Sequence, residues 1–252
     1  MFRRITTTIS PGSSPRSSGT VPDGHAIVVM QHVPVIDVAG NSTSQRMYRP
    51  LRLLLEAYQS REVFETEGFS CDFSDARGWI VCNITGHHHG ETQAWCKGVL
   101  HLSEPCDASY LDYRYRSAFC GQLPEKKEGT FYEQTFGIVQ FNPKNRRVHV
   151  TRVGGGQDRA LHVDAVETAP GRSVQLKPVE LKDVADWVFY DGDYVKPLPN
   201  PDSRWNPLWE CRHNFGSVDS NGVFTAGDRP GRSIVMARDA RLNKEVFFIW
   251  IR

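Results

Sequence analysis

The chain has 252 residues, 39% of them hydrophobic and 23% charged, with a formal net charge of +1. That is enough apolar material to bury a core, and enough length for one large domain or two ordinary ones. Lysine and arginine are spread along the chain, which excludes the basic field that nucleic acid or an anionic membrane requires, and no run approaches the roughly 18 apolar residues of a membrane span.

Residues 1–21, rich in Ser, Thr, Pro and Arg, offer almost nothing to bury and read as a disordered or non-native arm. They also lack the apolar core of a secretory signal, and localisation stays open. From Ala26 the texture changes. "AIVVMQHVPV" is a continuous apolar run with β-branched residues, which predicts a strand covered on both faces, as in a parallel α/β sheet. "QRMYRPLRLLLEAYQSRE" follows, with Leu51, Leu54, Leu55 and Tyr58 at helical spacing and Pro50 tolerable in a first turn. Then "GWIVCNITGHHH", "CKGVLHLSE", "FYEQTFGIVQFN" and "RRVHVTRVG" read as strands, the last two joined by a hairpin turn at Pro143-Lys144-Asn145.

Past residue 164 helical period disappears, and strands alternate with Gly, Pro, Asn and Asp. The spacing predicts an all-β sandwich over residues 165–252. Within it Asn221-Gly222 predicts a hairpin between Ser217-Val218 and Val223-Phe224, with a type I′ turn that needs positive φ at both central residues. Six cysteines make no C-x-x-C pair and are too sparse for a disulfide scaffold, so free thiols are the plain expectation.

The chemistry-bearing stretch is "TGHHHGET", residues 85–92, directly after an apolar strand. Neutral imidazole is the commonest protein ligand for zinc and its neighbours. In an extended segment residues two apart project to one side, so His87 and His89 can face one site while His88 points away. His32 ends another predicted strand, and strand ends of an α/β sheet are where ligands collect. The alternative is that His32 packs in the core and the triplet is a solvated loop. The histidines at 25, 101, 149, 162 and 213 have no such company and are expected to pack or to face solvent. Gly154-Gly155-Gly156 has no helix pattern after it, and reads as a strand-end turn rather than a phosphate loop.

An apolar strand ending in "QHVP", a helix, and a strand ending in Gly-His-x-His resemble the second half of a calcineurin-like metallophosphoesterase. "HLSEPCDASY" and "GTFYEQTFGIVQFNPKNRRVHVTRVGGGQDR" are similar to the closing strands of bacterial and phage members, and the likeness runs from about residue 22 to 163. "SVDSNGVFTAGDRPGRSIVMA" resembles bacterial Ig-like modules of invasins and phage surface proteins. The resemblance implies an α/β fold, part of a metallophosphoesterase β-sandwich flanked by helices, over 22–164, followed by an Ig-like sandwich over 165–252. It implies that His32 and His87 bind one divalent ion (Mn, Fe or Zn) and His89 the second ion of a pair, for hydrolysis of a phosphate ester.

The family's earlier Asp-x-His, Gly-Asp-x-x-Asp and Gly-Asn-His motifs, which supply carboxylates and the bridging ligand, have no counterpart here in working order. Asp23-Gly24-His25 lies in the turn before the His32 strand, and Gly40-Asn41 is followed by Ser42. The expectation is therefore an incomplete active site, inactive in this chain alone. The other reading is a non-catalytic surface or binding protein that engages a surface or protein partner through the Ig-like region.

Overall fold

The structure is a computed structural model that describes residues 21–35, 48–86, 92–104, 129–191, 194–198, 208–211 and 215–252. It is β-rich, with one α-helix among the described residues. That helix is too short to cross a membrane.

Strand β1 (Ala26–Met30) leads to helix α1 (Tyr48–Ser60), the hairpin β2 (Val63–Thr66) and β3 (Phe69–Asp72), then β4 (Trp79–Thr85), β5 (Thr92–Cys96) and β6 (Val99–Ser103). A small sheet forms in the order β1-β4-β6-β5, with β1, β4 and β6 parallel and β5 antiparallel to β6. Leu51, Leu55 and Tyr58 of α1 pack on Ile27, Val29, Ile80 and Val99 of this sheet, and Leu53, Leu54 and Ala57 cover the β2–β3 hairpin through Phe64 and Cys71. The helix thus buries two adjacent stripes, as its apolar spacing predicts. It ends where Arg61 turns into the left-handed region (φ 62°) and the Glu62 N–H reaches back to the Ala57 carbonyl at 2.9 Å.

β1 differs from its expectation. It forms the outer edge of the sheet among the described residues, so its side chains are half-buried and Met30 is 77% exposed, not covered on both faces.

The large sheet takes strands from both sides of residue 164. β7 (Thr135–Asn142), β8 (Arg147–Gly154) and β9 (Arg159–His162) form an antiparallel meander. β10 (Val166–Thr168), β12 (Asp186–Asp191), β17 (Gly231–Arg238) and β18 (Lys244–Ile251) extend it in the order β12-β17-β18-β9-β8-β7. β9 pairs in parallel with β18 at 244–246, and β10 pairs in parallel with it at 249–251. β9 and β10 therefore lie end to end along β18, and the boundary expected at 164/165 falls in the break between them. β11 (Ser173–Gln175), β15 (Gly216–Val218) and β16 (Val223–Ala226) make a three-stranded sheet, and β13 (Tyr194–Leu198) pairs with β14 (Leu208–Cys211).

The layers stack as α1, small sheet, large sheet and three-stranded sheet. β17 and β18 separate two cores by strand alternation. Ile234, Met236, Val246 and Phe248 face Val81, Cys82, Leu100 and Leu102 of the small sheet, while Val235, Phe247, Ile249 and Ile251 face Leu176, Phe215 and Phe224. Burial on both faces explains why "SIVMA" and "VFFIWI" read as unbroken apolar runs. Cys71, Cys82 and Cys96 are buried, and Cys82 and Cys96 carry free thiols, as expected of them.

Candidate functional site

β1, β4 and β6 run the same way, so their carboxyl ends meet at one rim of the small sheet. The backbone there is fully laced. The Gln31 N–H donates to the Ile84 carbonyl at 3.1 Å, the Gly86 N–H to the His32 carbonyl at 3.0 Å, and the Glu104 N–H to the Thr85 carbonyl at 3.0 Å. Side chains add to this lacing: the Thr85 hydroxyl donates to the Leu102 carbonyl at 2.9 Å, and the Ser103 hydroxyl to the Gly86 carbonyl at 3.3 Å.

His32 is exposed at the end of β1, not packed in the core. Its backbone is hydrogen-bonded to Gly86, the residue immediately before the histidine triplet. His87 and His89 lie outside the described residues. The structure thus joins His32 to the residue that precedes the triplet, and among the described residues no group of three His, Cys, Asp or Glu side chains is arranged to hold a metal.

The electrostatics of this rim come from residues that sequence reasoning missed. Glu104 follows β6 and is gripped by two guanidinium groups, Arg159 at 2.6 Å and Arg152 at 3.4 Å. Arg159 also donates to Gln93 Oε1 at 2.8 Å. Burial raises the Glu104 carboxyl, with Arg159 working against it. Burial pushes the Arg152 guanidinium down to about 9, and the charge of Arg159 adds to that. The cluster sits tightly between the two sheets, since a Cβ on Gly137 would fall 2.7 Å from Glu104 Oε2. The carboxylate that β6 carries to the rim is thus committed to arginine. The sequence separations of these contacts, 55 and 48 residues, put them out of reach of any local pattern.

On the other face of the small sheet Asn83, Thr85, His101 and Ser103 are buried in a row. The His101 ring is held neutral, its pKa pushed down to about 3 by burial, with Arg52 and Arg232 adding to the shift. The alternation of β6, "VLHLS", could have flagged His101 and Ser103 as one inward face. Of the other histidines, His25 is exposed, His149 faces Glu180 at 3.6 Å, and His162 is buried against Glu245 at 2.7 Å. The triple glycine forms the β8–β9 connection, where the Gly155 N–H donates to the Gln134 carbonyl at 3.1 Å.

No family model, curated protein or solved structure matches the chain.

Three imidazoles, as the sequence leads one to expect, would suit one borderline ion. Imidazoles are neutral ligands, and two divalent ions at roughly 3.5–4 Å need bridging oxygens and carboxylates to offset their repulsion. Glu104, bound to Arg159 and Arg152, does not fill that role.

Proposed function

We propose that residues 22–164 are the C-terminal half of a metallophosphoesterase-type α/β domain in which His32, His87 and His89 hold a divalent ion (Mn, Fe or Zn), and that residues 165–252 are an Ig-like portion fused to it. The observation that carries this reading is the hydrogen bond from the Gly86 N–H to the His32 carbonyl at the carboxyl ends of two parallel strands. It supports the reading because His32 is thereby tied to Gly86, which directly precedes the triplet in sequence, at the rim where α/β sheets bind ligands.

A bound divalent ion supplies charge that polarises a phosphoryl oxygen and lowers the pKa of water. The chain's own residues hold the ligand strands in register: Thr85 and Ser103 tie β4 to β6, and Gln31 and Gly86 tie β1 to β4. A second ion needs carboxylates from outside this set. The outer edge of β1, unpaired among the described residues, is where strands carrying them would add. The antiparallel β11-β16-β15 sheet supports the Ig-like likeness, although β17 and β18 share a core with the half-domain more closely than a spacer module would.

Hydrolysis of an activated aryl phosphate ester in Mn²⁺ tests the proposal. Residues 1–252 alone are expected to give no turnover above free Mn²⁺. The same chain preceded by a metallophosphoesterase N-terminal half is expected to turn over, and His87→Ala to abolish most of that. Robust turnover by residues 1–252, unaffected by His87→Ala, would mean that the chemistry lies elsewhere. One observation favours the second reading, a non-catalytic binding protein: Phe131, Tyr132, Phe136 and Ile138 are exposed together at the β7 edge of the large sheet.

A further inference from the structure

Asn83 and Thr85 of β4 and His101 and Ser103 of β6 lie on the face of the small sheet that α1 covers, since they alternate in step with Val99, which packs on Leu55. That layer ordinarily carries Val, Ile and Leu. Asn83 Nδ2 and His101 Nδ1 are 3.3 Å apart. Asn83 Oδ1 and His101 Nε2 have no hydrogen-bond partner among the described residues, although the two residues are only 0% and 3% exposed. Both residues line a cavity of about 10 Å³ whose other walls are Thr85, Leu102, Ser103, Pro34 and Val35.

We propose that this cavity is a built binding site for a single water molecule, which accepts from one of the two orphaned groups and donates to the other. The volume matches one water, which needs on the order of 10–15 Å³. The chemistry selects a neutral ligand with both functions. If the Asn83 amide donates to Nδ1, the proton of the neutral ring is on Nε2, and the remaining pair is an imidazole N–H and an amide C=O. If the amide is turned, the remaining pair is a ring lone pair and an amide N–H. In both arrangements one donor and one acceptor are left over on residues that line the cavity. A cation would oppose the donor, an anion would oppose the acceptor, and water serves both. The neutrality of His101, imposed by its burial and by Arg52 and Arg232, keeps this complementarity over the working pH range.

The water would join two chain segments, β4 through Asn83 and β6 through His101, beside Pro34 and Val35, which follow His32 in the chain. It would thus brace the rim from inside. The water site stands whether or not a metal binds at that rim.

Nuclear magnetic resonance on the full chain tests it. The His101 ring is expected to show a single neutral tautomer from about pH 5 to about pH 8, and cross-relaxation is expected between the water resonance and the Val35 methyls or the His101 ring N–H. Oxygen-17 relaxation dispersion is expected to count one fewer long-lived water in an Asn83→Leu/His101→Leu variant than in the wild type. Absence of the water cross-peak in the wild type, or equal water counts in a variant that melts cooperatively, would overturn the proposal. If the variant does not fold, the wild-type cross-peak alone decides.

Discussion

Glu245 shows how a single buried charge organises a distant segment. Its two oxygens accept from His162 Nε2 at 2.7 Å and from the backbone N–H groups of Val179 and Glu180 at 2.9 Å, pinning the segment between β11 and β12 to the sheet. Burial alone would raise this carboxyl, but the hydrogen bonds from His162, Glu180 and Val179 outweigh it and hold the pKa below the ordinary range. A depressed carboxylate stabilises fully above its unfolded pKa, and that stabilisation is lost as pH falls through the folded value. His162 is depressed from 6.5, chiefly by burial, so its contribution too is complete above that value and lost on acidification below it. The urea midpoint should therefore fall in two stages as pH drops, first below the histidine range and then through the carboxylate range. Glu245→Gln turns an amide N–H toward backbone donors, and should cost about 3 kcal/mol at neutral pH and flatten the second stage. An unchanged midpoint would contradict this role. None of it was legible in the sequence, because Glu245 meets His162 across 83 residues. The strand ends at β1 and β4 were legible, because apolar runs closed by proline or glycine form a local pattern. The polar row at Asn83 and His101 was half legible, through the alternation of β6.

Turns decide how much of an element can be read locally. The hairpin expected at Asn221-Gly222 is present, but Asn221 lacks the positive φ that a type I′ turn demands. The turn runs from Asp219 to Gly222, with the Gly222 N–H donating to the Asp219 carbonyl and Asp219 Oδ1 accepting from the N–H groups of Asn221 and Val223. Only Gly222, at φ 79°, is left-handed, as in a type I turn followed by a bulge. The aspartate side chain, by capturing two amides, overrides the Asn-Gly preference. A two-residue loop with positive φ at both positions occurs instead at Lys97-Gly98, at 43° and 83°, so that the strand expected over "CKGVLHLSE" begins only at Val99 as β6, and Cys96 closes β5. The expected turn after Asn142 joins β7 to β8. The Asp219 device recurs at Asp239, where Oδ1 accepts from the N–H groups of Arg241 and Asn243, but there Leu242 takes the left-handed position at φ 66°. Leu242→Gly should therefore stabilise the fold by about 1 kcal/mol. Gly222→Ala should destabilise it by about 2 kcal/mol or more, since a Cβ would lie 2.2 Å from Trp187 Cζ2. Thermal melts of the two variants should move in opposite directions, and movement in the same direction would contradict the comparison.

At the scale of the molecule, composition marks a change near Asp164 that hydrogen bonding does not respect. The tail's β17 and β18 fill the face opposite Val81, Leu100 and Leu102, and Trp95 Nε1 donates to the Val163 carbonyl at 3.0 Å across the sheets. Local patterning cannot report which strand adds to which sheet, because an apolar run buried on two faces carries no record of its partners. Expressed alone, residues 165–252 would leave Ile234, Met236, Val246 and Phe248 without their partners, and should melt without cooperativity or associate; a sharp monomeric melt would contradict the shared core. On the proposed reading His32, His87 and His89 together hold a metal ion. Isothermal titration of the full chain with Mn²⁺ or Zn²⁺ tests it most directly. Saturation near one ion per chain is expected, with binding weakened by His32→Ala and abolished by His87→Ala/His89→Ala, whereas equal binding by the wild type and the double variant would rule the metal site out.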